Sequence, residues 1–164
     1  MSARFLRLVG TAYDATPMDG PSRPVQLSLF DVRPRWRVLC LPMRDLHGQV
    51  FARAVRQHRP DTVVDLRSHP YFDLHALGRD TAFAIFGTAC ATYRHRPLDL
   101  RPPATQAERW RMMRDATALF GELTSSNRER TTFALLLNRP EEIPLIEGAL
   151  TQTDPGIGWQ VVGP

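Results

Sequence analysis

Apolar runs of strand length alternate with amphipathic stretches of helical length from Trp36 to Val162, and this alternation limits the fold more than any other feature. Trp36 to Leu41 reads as a strand. Leu46, Val50, Phe51, Ala54 and Val55 then recur at helical spacing up to the break at Pro60, and Thr62 to Leu66 is the next strand. Strand, helix and strand within about 30 residues make a βαβ unit, which implies a parallel sheet and a right-handed crossover.

The pattern continues with a helix near Arg79 to Cys90, a strand at Thr92 to His95 and a longer helix opening at Thr105, with Glu108 placed to complete a capping box. In that helix Trp110, Met113, Thr117, Phe120 and Leu123 are expected to share one face. Thr131 to Leu137 has the continuous apolar character of a central strand. Glu141 to Leu150 is a short helix that tolerates Pro144 only in its first turn, and Trp159 to Val162 is a last strand. The expected fold is α/β, an open, mostly parallel sheet with helices on its faces. Residues 1 to 164 are read as a single domain, large enough to bury a core without disulfides or metal.

Ahead of this body, Phe5 to Tyr13 reads as a strand, and residues 14 to 34 read as a loop or tether, marked by Asp19-Gly20-Pro21 and bordered by Pro24 and Pro34. The tether carries Gln26-Leu27-Ser28-Leu29-Phe30. Gln26 offers amide donors and an acceptor at the mouth of a groove. Leu27, Leu29 and Phe30 offer apolar anchors, and Ser28 is small enough to cross a rim. Burying three such side chains contributes about 1.5 to 3 kcal/mol each, while ordering five residues costs about 1 to 2 kcal/mol each. Prolines that pre-set an extended backbone therefore matter to affinity. The competing reading places Val25, Leu27 and Leu29 on one face of an edge strand of this chain's own sheet, a period that Phe30 interrupts.

All five positions match the pattern of the bacterial β sliding-clamp binding motif. With that motif on a proline-bordered tether, the chain resembles the SocB-type replication-blocking toxins of bacterial toxin-antitoxin pairs. The resemblance implies that it occupies the clamp groove used by the replicative polymerase and slows replication by competition. It also implies an antitoxin partner that delivers the protein to the ClpXP protease.

A second constellation stands at the end of the second strand, Asp65-Leu66-Arg67-Ser68-His69-Pro70. Ligands of open α/β sheets favour loops beyond the carboxyl ends of strands. Asp65, Arg67 and His69 with His95 from the neighbouring strand are an anion or ligand pocket candidate, suited to holding an anion or moving a proton. The alternative is an internal Asp65–Arg67 ion pair that braces the loop. The stretch resembles an uncharacterised bacterial α/β family with Asp-Val-Arg-Ser after a strand and a later Tyr-x-His, here Tyr93-Arg94-His95. Members of that family usually also carry a Cys-His-Arg run after the late central strand, and the corresponding stretch here, Leu137 to Ile146, lacks it.

No glycine-rich phosphate loop or nucleophile with an evident base appears, so no cofactor, no metal and no catalytic residue is assigned. Cys40 and Cys90 lack metal-ligand spacing and read as two small core residues. No run is long and apolar enough for a signal peptide or membrane span, and a cytoplasmic protein without membrane contact is expected. The net charge of +4 and pI near 9.8 favour anionic partners. Direct nucleic-acid binding through Arg33, Arg35 and Arg37 or Arg94, His95 and Arg96 ranks below a solvated strand face, because no nucleic-acid module accompanies these charges.

Overall fold

The computed structural model describes residues 36–125, 131–152, 154 and 156–163. They form five parallel strands in one sheet, with four α-helices. The strands are β1 (Trp36–Pro42), β2 (Thr62–Asp65), β3 (Thr92–His95), β4 (Thr131–Leu137) and β5 (Ile157–Val161), and the helices are α1 (Gly48–His58), α2 (Arg79–Thr88), α3 (Gln106–Thr124) and α4 (Ile143–Thr151). The spatial order is β3-β2-β4-β1-β5, every neighbouring pair parallel. The strand expected at Phe5 to Tyr13, the tether expected at residues 14 to 34 and the clamp-binding peptide expected at Gln26 to Phe30 lie outside the described residues.

The period-two alternation of each central strand divides the interior into two layers. Leu39, Leu41, Val63, Ala134 and Leu136 face one side and pack against Phe51, Ala54 and Val55 of α1 and Ala82, Ile85 and Phe86 of α2. Val38, Cys40, Val64, Phe133 and Leu135 face the other, against Phe120 and Leu123 of α3 and Ile146 and Leu150 of α4. Burial on both faces explains the unbroken apolar runs Val38–Leu41 in β1 and Phe133–Leu137 in β4. The chain moves from β1 to β2 to β3 with helices on one face, then reverses through β4 to β5 with helices on the other. One handedness of crossover requires that arrangement.

Local signals set the boundaries. The His47 side chain caps α1 by accepting from the Gln49 N–H, and Arg59 ends the helix at φ 41° just before Pro60. Thr105 and Glu108 form the expected capping box of α3. Pro144 sits in the first turn of α4, after a short 3-10 turn at Pro140–Glu142. Two expectations fail. The stripe that α3 turns inward runs through Met112, Met113, Ala116, Leu119, Phe120 and Leu123, while Trp110 stands 62% exposed and Thr117 faces outward. Small Ala116 takes the tight position against the sheet. Cys40 belongs to the core and burial, aided by the charge of Glu147, pushes its thiol up to about 12, whereas Cys90 is exposed at φ 57° after α2.

Among the described residues no helix is long and apolar enough to cross a membrane.

Candidate functional site

Asp65 ends β2 between β3 and β4 and is fully buried. The backbone N–H of Arg67 donates to Asp65 Oδ1 at 3.2 Å, Nε to the same oxygen at 2.8 Å, and Nη2 to Oδ2 at 2.7 Å. The Tyr93 hydroxyl donates to Oδ2 at 3.0 Å. Four donors therefore saturate this carboxylate, which meets the condition for keeping a charge out of water. The remaining face of the guanidinium donates from Nη1 to the Tyr71 carbonyl at 2.6 Å and lies 5.1 Å from the centre of the Phe72 ring. Burial, together with the Asp65 charge, raises the Tyr93 phenol well above its ordinary range. His95 Nε2 lies 2.8 Å from the Arg67 carbonyl oxygen, so it braces the same turn from β3.

This network fixes the loop between β2 and α2. The far end of the loop is fixed as well, since the Gly48 N–H donates to the His75 carbonyl at 3.0 Å. A Cβ at Gly48 would meet Leu77 Cβ at 2.4 Å and the His75 oxygen at 2.6 Å, so only glycine allows this approach. Between the two anchors the loop presents His69 and Tyr71 outward, their rings near-parallel at 21° with centres 6.4 Å apart.

In front of these rings a cleft of about 1010 Å³ opens beyond the carboxyl ends of β1 to β4. Its position follows from topology. The connection after β4 leaves toward one face of the sheet while those after its neighbours β1 and β2 leave toward the other, and a crevice opens where adjacent connections part. Each of the four strand ends brings one arginine to the wall: Arg44, Arg67, Arg101 and Arg139. Carboxylates stand there too, among them Asp45, Asp73 and Glu141. Two backbone hydrogen bonds, Met43 N–H to the Leu137 carbonyl (2.8 Å) and Arg44 N–H to the Asn138 carbonyl (3.0 Å), tie the loops after β1 and β4 together.

Of the residues expected at this end of the sheet, Arg67 and His69 line the cleft, whereas Asp65 and His95 lie behind it as supports. Sequence reasoning missed Arg44, Tyr71, Arg101 and Arg139. A signal existed in the arginine that stands two residues beyond each of β1, β2 and β4, and in the repeat of Asp-Leu-Arg at 65–67 and 99–101. The Arg94, His95 and Arg96 cluster is partly balanced within the fold, because Glu122 pairs with Arg96 at 2.9 Å and Arg94 at 3.5 Å. That pairing holds the Glu122 carboxyl below its ordinary range. Among the described residues no group of three or more His, Cys, Asp or Glu side chains is placed to hold a metal ion.

Comparison with known protein families, with curated proteins and with solved structures finds no match to this chain.

Proposed function

We propose that the protein is a ligand of the bacterial β sliding clamp that blocks replication by occupying the groove shared by the polymerase and other clamp clients. The observation that carries this reading is Gln26-Leu27-Ser28-Leu29-Phe30, a match at all five motif positions between Pro24 and Pro34. Five residues separate Phe30 from Trp36, where β1 begins, so the motif stands close in sequence to a folded body. Such a body adds bulk beside the groove, and competition needs only that the free concentration exceed the dissociation constant. An antitoxin that hands the protein to ClpXP would hold it below that threshold, and the cytoplasm, where the clamp works, is the compartment this reading requires.

Calorimetric titration against purified clamp tests the proposal. The wild-type chain saturates the clamp, and Leu29→Ala with Phe30→Ala abolishes binding while the far-ultraviolet spectrum and melting temperature stay unchanged. Gln26→Ala weakens binding by about 0.5 to 1.5 kcal/mol, the net contribution of one hydrogen bond. Clamp affinity that survives the double substitution would falsify the assignment.

A further inference from the structure

We infer that the cleft at the carboxyl ends of β1 to β4 binds a free nucleotide, its phosphate on Arg44 and Arg139 and its base against Tyr71. The inference is independent of the clamp reading, since it rests on residues after Trp36.

The four strand-end arginines are of two kinds. Arg67 and Arg101 each grip the aspartate two residues before them, Asp65 and Asp99. Arg44 and Arg139 have Pro42 and Leu137 at that position, and neither makes a side-chain ion pair among the described residues. Both are exposed and both line the cleft. The hydrogen bonds that join their loops hold them on adjacent backbone segments. Among the described residues neither guanidinium is engaged in an ion pair, although Asp45 and Glu141 stand on the same wall, so a dianionic phosphate can accept from both forks.

Tyr71 supplies the second half. It is 70% exposed, the most exposed large apolar or aromatic side chain among the described residues, yet its backbone is clamped by Arg67. A rigid backbone that thrusts an aromatic ring into a cleft makes a stacking platform, and every nucleobase has a face to place on it. The wall also bears Asp45 and Asp73, which accept hydrogen bonds from sugar hydroxyls and base amino groups and disfavour a ligand that is only anionic. The cleft volume, about 1010 Å³, admits a ligand of this size.

The test is titration of the full chain with the four 2′-deoxynucleoside 5′-monophosphates, inorganic phosphate, adenosine and an eight-residue oligothymidylate. At least one monophosphate should saturate at one per chain, about tenfold or more tighter than phosphate or adenosine alone. Arg44→Gln with Arg139→Gln should weaken the monophosphate by about 30-fold or more and leave adenosine unchanged, while Tyr71→Ala should abolish the preference for monophosphate over phosphate. All three side chains are exposed, so melting temperatures check that the variants remain folded. Saturation by none of the monophosphates overturns the inference, as does phosphate binding equal to theirs or a double arginine variant with wild-type affinity. Binding of the oligonucleotide where no monophosphate binds overturns it too.

Discussion

The tripeptide Asp-Leu-Arg occurs twice at the carboxyl end of the sheet, at 65–67 after β2 and at 99–101 after β3, with nearly the same local geometry. In each copy the arginine N–H donates to the aspartate Oδ1 at 3.2 Å, and Nε follows at 2.8 Å in the first and 2.9 Å in the second. Nη2 reaches Oδ2 in both. What differs is water. The Arg67 and Asp65 side chains are 5% and 0% exposed, while those of Arg101 and Asp99 are 87% and 62% exposed. The first pair has also recruited Tyr93, His95 and the Tyr71 carbonyl, and among the described residues the second has no such company. Hydrogen-bond geometry is thus held nearly constant while the surroundings change, so any difference in energetic weight between the copies belongs to burial and to the additional partners.

The largest consequence falls on the buried copy. Arg67→Ala leaves the Asp65 carboxylate out of water with only Tyr93 and a backbone N–H to hold it, and removal of one partner from a buried pair costs about 3 to 5 kcal/mol. Urea unfolding measures this directly, and a loss below about 1 kcal/mol would show that the site admits water. Tyr93→Phe comes next. It deletes one donor to a charged acceptor, about 1.5 kcal/mol, and leaves the guanidinium in place. The phenol has a pH signature as well. Its folded-state value is raised, so its contribution is complete below the ordinary value of 10.0 and is lost as pH climbs beyond it. Absorbance titration at 295 nm should show the Tyr93 phenol resisting ionisation above its ordinary value of 10.0.

The sequence disclosed the sheet well and the cleft poorly, for one physical reason. Strands and helices carry their periodicity in consecutive residues. Phe133 to Leu137 announces a strand buried on both faces, and Thr105 with Glu108 announces the start of α3. Even there the face expected from spacing includes Trp110 and omits Ala116, because Trp110 carries the larger apolar surface, whereas packing against the sheet rewards the smaller side chain. The cleft has no such local record. Arg44, Arg67, Arg101 and Arg139 span nearly a hundred residues and meet only because the strand order interleaves β4 between β2 and β1. Asp65 and Arg67 are legible as a pair two residues apart, and what decides between chemistry and support is Tyr93 and Tyr71, whose positions belong to the fold.

The exposed copy sets the lower limit. Arg101 holds the Asp99 carboxyl down at about 2, first through its side-chain hydrogen bonds and then through its backbone N–H. A carboxyl depressed in the folded state contributes stability that is complete above its ordinary value of 3.8 and disappears as pH falls through about 2. Solvent and salt screen most of that contribution at so exposed a site, and fixing two surface side chains in one geometry offsets more of it. Arg101→Ala should therefore leave the urea midpoint within replicate scatter at neutral pH, while the Asp99 resonance titrates near the ordinary carboxylate value. Raising the salt concentration should move the wild-type Asp99 titration upward and leave the Arg67→Ala penalty almost intact, because mobile ions reach Asp99 and are excluded from Asp65. A midpoint shift in Arg101→Ala as large as that in Tyr93→Phe would mean that the tripeptide geometry itself, and not its burial, carries the energy.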